Sequence, residues 1–303
     1  MVRLSAEESA ERRSVVDRLL LILDTVAASP GETGLSELAR ITGMKKPTVH
    51  RLATDLVAQR LLDRGHYGYR LGLHLFELGQ RVPIRRRLRE TALPLMSDLL
   101  EATHEIVQLG VIDGTDVVYV EKLTGPRSIS APSDIGSRLP AYCSGLGKAI
   151  LAFSRTETVE EVLAAPMPAR TNTTITNPDQ LRRELDHIRA TGIAYDREEG
   201  TRGIVCIAAP ILDQDNPDGH GDLAIAAISV TGPSRRLRFI QFEAAVRTAA
   251  LTISRTLRSP FTPAPQPPAS HLTHAPAGLS SARRTQAPSP PPVAAAPLRS
   301  DRR

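Results

Sequence analysis

A stretch near the N-terminus, residues 36–71, constrains the fold more than any other part of the chain. Two short amphipathic segments meet there at Gly43, where the chain has to turn and where glycine tolerates a positive φ. The second segment opens with Lys45, Lys46 and Pro47. Proline suits the first turn of a helix because that position needs no N–H donor. The pattern is typical of a helix-turn-helix motif, whose second helix lies in a groove of DNA.

Three helices are predicted in this region. In the first, apolar residues recur at spacings of three and four, the mark of one buried face; they are Val16, Leu19, Leu20, Leu23 and Val26. Ser36 is the predicted N-cap of the second helix, and Leu38, Ala39 and Ile41 cover its inner side. The third helix has an inner stripe of Val49, Leu52, Leu56 and Val57.

The outer face of the third helix is polar and basic. Thr48, Arg51 and Asp55 lie three to four residues apart, and two lysines stand at the helix start. Arginine can donate two parallel hydrogen bonds to guanine, whereas lysine and threonine can hold phosphates. A solvated face without any partner explains the same residues, because charged outer faces are common on helices.

A β-hairpin is predicted directly after the third helix. Residues 61–64 and 69–71 read as short strands around a turn that contains Gly65 and Gly68. Helix, helix, basic helix and hairpin is the order of a winged helix-turn-helix, whose hairpin, or wing, reaches toward DNA. We expect Arg64, His66 and Arg70 to serve as wing contacts, and Tyr67 and Tyr69 to pack against the domain rather than to stack.

Charge is distributed unevenly along the chain. Residues 1–90 carry 16 lysines and arginines against 11 acidic residues, whereas residues 91–259 carry 17 against 21. A basic front and an acidic middle fit a protein in which only the front meets a polyanion, although chance scatter of a few charges gives the same balance. Residues 260–303 hold 11 of the 24 prolines and few large apolar residues, which predicts a disordered tail.

The remainder is predicted to form a linker helix and an α+β domain. Residues 73–89 read as a helix with an apolar side that Pro83 kinks or ends, followed by an arginine-rich run that either touches phosphate or is simply solvated. Residues 90–259 mix helices with strands, among them the almost purely apolar runs 205–212 and 223–230. An antiparallel sheet covered by helices is the simplest assembly.

Several classes of protein and site are not supported by the sequence. No uncharged apolar run approaches ~18 residues and the first residues lack a secretory pattern, so we expect a cytoplasmic protein without a membrane span. The eight histidines show no metal-ligand spacing. Residues 145–149 lack the glycine spacing of a phosphate loop, and Ser144 is not in a nucleophile elbow. A small buried thiol is the simplest interpretation of Cys206. We therefore predict no cofactor, no metal and no enzymatic activity.

Several separate motifs resemble those of one family, the IclR-family transcriptional regulators. The front match covers residues 43–52 and 69–72. The rear matches cover residues 136–149, 189–199, 203–210 and 227–233. They follow one another in the family's order and spacing across residues 12–259, which makes them far more specific than a lone helix-turn-helix.

The resemblance implies a fold and a set of sites. The fold is a winged helix-turn-helix at 12–72, a linker helix at 73–89 and a GAF-like effector-binding domain at 90–259. The residues that would bind DNA are Lys45, Lys46, Thr48, His50, Arg51, Arg64, His66 and Arg70. The residues that would bind an effector are Leu139, Ser144, Gly145, Leu146, Asp196, Cys206, Ser229 and Thr231. Where the family often has a second serine, Thr231 adds a methyl group that would tighten the pocket.

The resemblance also implies partners. They are double-stranded DNA with a palindromic operator, a small organic or aromatic acid, and a second copy of the chain, with dimers of dimers common in the family. We expect a ligand-controlled transcription regulator, and a repressor rather than an activator. Two other functions stay open at this point: a metabolite sensor acting through protein association, and an enzyme fused to a helix-turn-helix.

Overall fold

The computed structural model describes residues 14–126, 128, 131, 133–213, 223–237 and 239–258, with only the backbone described at 83–86. The tail predicted to be disordered, residues 260–303, lies outside these ranges.

The described chain begins with three helices and a two-stranded hairpin. The helices are α1 (Val15–Ala27), α2 (Leu35–Thr42) and α3 (Lys46–Ala58). The strands β1 (Leu62–Arg64) and β2 (Tyr69–Leu71) pair antiparallel. This is the predicted order of a winged helix-turn-helix. Gly43 has φ of 70° at the turn between α2 and α3, and Pro47 lies in the first turn of α3, as predicted.

A single apolar core holds these elements together, and three details differ from prediction. The core is built around Ile22, Leu38, Val49 and Leu52. Val16 and Leu20 are exposed, because the buried stripe of α1 runs through residues 19, 22, 23 and 26 instead. Ile41 is exposed as well, since Leu38 and Thr42 define the buried line of α2. Gly34 rather than Ser36 is the N-cap of α2, which therefore begins two residues earlier than predicted.

The predicted linker helix is two helices. The first, α4 (Leu73–Gly79), ends before Val82, and the second, α5 (Pro83–Thr103), begins at the proline. Pro83 starts a helix because its fixed φ suits the first turn. The helix α5 continues across residues 89 and 90, so the last part of the predicted linker and the first predicted helix of the second domain belong to the same helix, which contains Pro94.

The rest of the described chain is one six-stranded antiparallel sheet between two helical layers. The strand order is β5-β4-β3-β8-β7-β6. The strands are β3 (Ile106–Asp113), β4 (Asp116–Leu123), β5 (Arg138–Pro140), β6 (Ala194–Arg197), β7 (Ile204–Asp213) and β8 (Leu223–Pro233). The helices are α6 (Gly145–Leu151), α7 (Thr156–Ala164), α8 (Pro178–Thr191) and α9 (Phe239–Arg258). No sequence pattern predicted β5, α7 or β6.

Each face of the sheet has its own apolar core. On one face, side chains such as Cys206 and Ala208 pack against α6, α7 and α8. On the other face, side chains such as Ile207 and Val230 pack against α5 and α9. The alternation of side chains along β7 and β8 explains why both strands are apolar without a polar face: both sides are covered.

Candidate functional site

The outer face of α3 is open to solvent and basic. Lys45, Lys46, His50 and Arg51 are exposed, and Thr48 is half-buried among them. The N-cap residue of α3, Lys45, makes no side-chain capping hydrogen bond, and this helix start lies beside the two exposed lysines. Such a helix start attracts phosphate, because its N–H groups and the helix dipole favour negative charge.

Two arginines, one on this face and one on the hairpin, make long ion pairs. Arg51 lies 3.8 Å from Asp55, and Arg70 lies 3.7 Å from Asp63. All four side chains are well exposed, so these pairs contribute little to stability and exchange easily for other partners. Arg64 is exposed on β1, and His66 is exposed at the hairpin turn.

The hairpin is anchored by a segment that sequence patterns did not single out. Glu32 accepts hydrogen bonds from the backbone N–H groups of Tyr67 (2.6 Å) and Gly68 (3.1 Å) through one oxygen, Oε2. Thr33 exchanges two backbone hydrogen bonds with Tyr69, at 2.9 and 3.0 Å, and so acts as a third strand. A Cβ at residue 68 would lie 2.3 Å from the Thr33 carbonyl oxygen, which explains the glycine there.

The two tyrosines of the hairpin have different environments. Tyr69 is buried in the core, as predicted, and the Arg64 guanidinium lies 6.0 Å from its ring centroid. Tyr67 is 83% exposed and makes an edge-to-face contact with the His66 ring. The prediction that Tyr67 packs on the domain is wrong, because the close approach of residue 68 to Thr33 turns it outward at the tip.

The arginine-rich run of α5 is partly taken up by contacts within the protein. Arg89 donates to Glu121 Oε2 at 2.8 and 2.6 Å, and the Glu121 side chain is buried. Arg87 donates to the carbonyl oxygen of Leu257 in α9. These two arginines hold α5 against the sheet and α9. The predicted alternatives for the run, contact with phosphate or simple solvation, therefore do not describe them.

A cavity opens at the start of α6, on the face of the sheet that α6, α7 and α8 cover. Its empty space is about 410 Å³ when the open mouth is included, but the enclosed part is only about 30 Å³, room for about one water molecule. Seven of the eight predicted effector residues line it: Leu139, Ser144, Gly145, Leu146, Asp196, Cys206 and Thr231. The eighth, Ser229, is fully buried on β8 and does not line the cavity, although its hydroxyl has no hydrogen-bond partner among the described residues.

The remaining lining residues come from distant parts of the chain. They are Gln108, Tyr119, Ala131, Ser133, Gly200, Thr201 and Ile204. Gln108 joins two of the walls, because its side-chain amide donates to Ser133 Oγ and accepts from Thr231 Oγ1 at 3.0 Å. A polar residue between the apolar residues Val107 and Leu109 of strand β3 was the available signal for Gln108.

The floor of the cavity is a close contact between α6 and β7. A Cβ at residue 145 would lie 2.9 Å from the Cys206 sulfur, so a glycine lets the helix start approach the strand. Ser144 caps α6, since its Oγ accepts from the Gly147 N–H at 2.9 Å. The small residues of this segment therefore bring backbone and hydroxyl groups to the cavity wall.

Asp196 is the acidic group of the cavity wall. It is 6% exposed, and its Oδ1 accepts from the Glu199 N–H at 2.6 Å. Burial raises the pKa of Asp196 from 3.8 to about 7, and it outweighs the backbone hydrogen bonds that lower it. Near neutral pH this carboxyl group is therefore able to accept or donate a hydrogen bond to a ligand.

The two cysteines are not activated as nucleophiles. Burial raises the pKa of both Cys143 and Cys206 to about 12, and the negative charge of Asp196 adds to the effect. A thiol with such a pKa carries almost no thiolate at neutral pH. The prediction that Cys206 is a small buried thiol is confirmed, and it lies in the cavity wall.

None of the described helices has both the length and the apolar character that a membrane span requires. In the described part of the chain, no three histidine, cysteine or acidic side chains come together as metal ligands would.

Comparison with known families identifies both halves of the chain. Residues 15–65 match the IclR helix-turn-helix domain, and residues 80–255 match the bacterial transcriptional regulator IclR C-terminal domain. The first range covers α1, α2, α3 and β1, and the second covers α5, the six-stranded sheet and the cavity.

Individual proteins agree with these matches. The HTH-type transcriptional regulator BhcR of Paracoccus denitrificans is 37% identical over 237 residues, 77% of this chain and 82% of that protein. The transcriptional repressor IclR of Escherichia coli is 31% identical over 247 residues, 78% of this chain and 87% of that protein. The crystal structure of an IclR homolog from Microbacterium hydrocarbonoxydans in complex with 4-hydroxybenzoate has 30% identity and a TM-score of 0.72, covering 82% of this chain and all of that one. The chain belongs to the IclR family of bacterial transcriptional regulators.

Proposed function

We propose that this protein is a homodimeric repressor that binds a palindromic operator and responds to a small organic or aromatic acid. The proposal assigns DNA recognition to residues 12–72, ligand binding to 90–259 and the connection between them to 73–89. Because its target is the chromosome, the protein would act in the cytoplasm. Repression is favoured because two relatives at 30–31% identity, the transcriptional repressor IclR and an acetate operon repressor of Salmonella typhimurium, are repressors.

The exposed basic face of α3 is the proposed reader of DNA. Arg51 is the candidate base-reading side chain, since it is exposed and held only by a weak pair with Asp55. Lys45, Lys46 and Thr48 at the helix start would hold phosphates. Arg64, His66 and Arg70 of the wing would contact the adjoining backbone or minor groove, and His50 lies on the same exposed face as Arg51.

Exposed apolar side chains support the dimer. Six of the thirteen large apolar side chains exposed among the described residues lie on α1 and α4. They include Val16, Leu20, Leu73, Phe76 and Leu78. Burying these side chains against a second copy would place two α3 helices on one DNA molecule, as a palindromic site requires.

The cavity is the proposed effector site. Its hydroxyl and amide groups, contributed by Ser144, Gln108 and Thr231, can orient a small polar ligand, and Leu139 and Leu146 supply apolar walls. A similar protein was crystallised with 4-hydroxybenzoate, an aromatic acid with a hydroxyl group. Asp196 suits such a ligand, because a protonated carboxyl group can donate to a carboxylate and an ionised one can accept from a hydroxyl.

The single observation that carries the proposal is that one chain combines an exposed basic helix and wing with a small cavity in the sheet domain that α5 packs against. A thermal-shift screen of organic and aromatic acids on the full chain would identify ligands, because a ligand that binds only the folded state raises the Tm. Hits would then be tested for their effect on DNA affinity by fluorescence anisotropy. Acids that stabilise the protein and lower its DNA affinity are expected; hits without any effect on DNA affinity would contradict ligand control.

A further inference from the structure

A completely buried lysine lies behind the wall of the cavity. Lys148 in α6 has no exposed surface, and its Nζ is 2.6 Å from Glu199 Oε1 and 3.3 Å from Glu184 Oε1. A buried ammonium is costly unless it is paired, so these two carboxylates explain how it is accommodated. Lys148 itself does not line the cavity. Its position therefore calls for a role other than direct contact with a ligand.

The partner of Lys148 belongs to a turn that carries part of the cavity wall. This turn, residues 196–200, presents Asp196 and Gly200 to the cavity. Glu199 connects the two groups directly, because its N–H donates to Asp196 Oδ1 at 2.6 Å while its own carboxylate accepts from Lys148. Moving Glu199 would therefore move Asp196.

The turn has a conformation that its surroundings have to hold. Glu198 has φ of 65°, the left-handed region that is unfavourable for a residue with a side chain. Thr171 and Thr174 donate to the carbonyl oxygens of Glu198 and Glu199, both at 2.7 Å. Lys148 holds the turn from the other side, through the Glu199 side chain. Two independent elements therefore clamp one strained turn.

We propose that Lys148 is a positioning residue of the effector site: through its ion pair with Glu199 it fixes the turn that presents Asp196 and sets the charge that a ligand meets there. The assignment of the cavity as an effector site is the proposed function on which this inference rests. Lys148 would contribute to ligand binding indirectly, because it would act through Asp196 and not by touching the ligand.

The charges around Asp196 make the inference testable. Lys148 lowers the pKa of Asp196, whereas Glu199 raises it through its negative charge although its N–H stabilises the carboxylate. Glu199 Oε2 is buried and has no hydrogen-bond partner in the described part of the chain, so the Glu199 carboxylate depends on Lys148 to compensate its charge. The ionisable groups that face Asp196 from the packed elements are Lys148 on α6, Glu199 in the turn, Tyr119 on β4, Cys143 before α6 and Cys206 on β7.

The test is a titration of Asp196 by carboxyl ¹³C NMR in the full chain, without any ligand. Asp196→Asn serves to assign the resonance. Wild type should titrate near the value of about 7. In Lys148→Met the midpoint should move up, because a positive charge is lost, and in Glu199→Gln it should move down, because a negative charge is lost. Lys148→Arg keeps the charge and should restore a midpoint close to that of wild type.

The opposite directions distinguish positioning and charge from mere structural support. If Lys148 only filled space, both variants would loosen the turn, admit water and lower the midpoint toward that of an ordinary aspartate. Equal shifts in one direction, or no shift in either variant, would overturn the proposal. If Lys148→Met does not fold, the other two variants still test the proposal. The midpoint of Asp196 should move down in Glu199→Gln and stay close to that of wild type in Lys148→Arg. The titration needs neither DNA nor effector, so it fails or succeeds separately from the proposed function.

Discussion

Tyr119 and Glu121 lie two residues apart on β4, yet their side chains lie on opposite sides of the sheet. A β-bulge is the cause: Tyr119 pairs with Gly110 and Glu121 pairs with Leu109, which leaves Val120 as an extra residue. Tyr119 lines the cavity, and Glu121 binds Arg89 of α5. The strand therefore faces the cavity on one side and contacts α5, which follows the helix-turn-helix domain, on the other.

This relationship predicts a route for ligand control. The double variant Arg89→Met/Glu121→Gln removes the contact between α5 and β4 without leaving a buried charge unpaired. We expect it to keep DNA binding and ligand binding but to lose most of the effect of ligand on DNA affinity. Both affinities can be measured by fluorescence anisotropy and calorimetry.

Arg138→Gln is the matched control for that experiment. Arg138 also forms ion pairs at the sheet, with Asp113 and Asp116, but they are exposed and distant from α5. Its loss should leave ligand control unchanged. If the ligand changes the DNA affinity of the double variant as much as that of wild type, the signal takes another route.

Two substitutions on α3 should have different effects on DNA binding. Arg51→Ala should weaken binding to the operator by about 10- to 100-fold while non-specific binding persists, because a bidentate base contact is worth ~1–3 kcal/mol. Lys46→Ala should weaken binding to all sequences alike and reduce the salt dependence by about one counterion, as loss of one phosphate contact does. Anisotropy titrations at several salt concentrations separate the two. An Arg51→Ala protein with wild-type operator preference contradicts the assignment of Arg51.

The anchor of the wing predicts a coupled loss of stability and DNA affinity. Glu32→Ala removes the acceptor for the N–H groups of Tyr67 and Gly68, and it should cost about 1–3 kcal/mol of unfolding free energy. Urea unfolding measures that cost. Because the wing carries Arg64 and His66, DNA affinity should fall too. Glu32→Gln keeps an acceptor oxygen, so its unfolding free energy should lie between those of Glu32→Ala and wild type. Equal unfolding free energies for the two variants would argue against the role of Glu32 as the anchor of the hairpin.

The raised pKa of Asp196 predicts how stability changes with pH. The folded protein binds the proton more tightly than the unfolded chain does, so this residue lowers stability progressively as pH rises from 3.8 to about 7. Asp196→Asn removes the charge and keeps an oxygen for the Glu199 N–H. The variant should gain stability relative to wild type across that window, by a few kcal/mol at most. Urea unfolding from pH 4 to 8 checks the sign; a difference that is constant with pH would refute the raised pKa.

Local sequence signals predicted the winged domain well, and contacts between distant residues limited the rest. Gly43, Pro47 and the hairpin glycines each encode a backbone requirement that acts within a few residues. The cavity wall was predicted from family motifs, but Gln108, Tyr119 and Ser133 were not, since three separate segments bring them together only in the folded sheet. Periodicity also misplaced part of α1.

The central claim, sequence-specific binding of DNA by α3 and the wing, is tested most directly by selecting DNA from a random pool with the purified full chain. Wild type should enrich a palindromic motif, and Arg51→Ala should enrich none or a motif altered at the positions that Arg51 reads. If wild type enriches no motif, or if both proteins enrich the same motif equally strongly, the account of this protein as a DNA-reading regulator through Arg51 is contradicted.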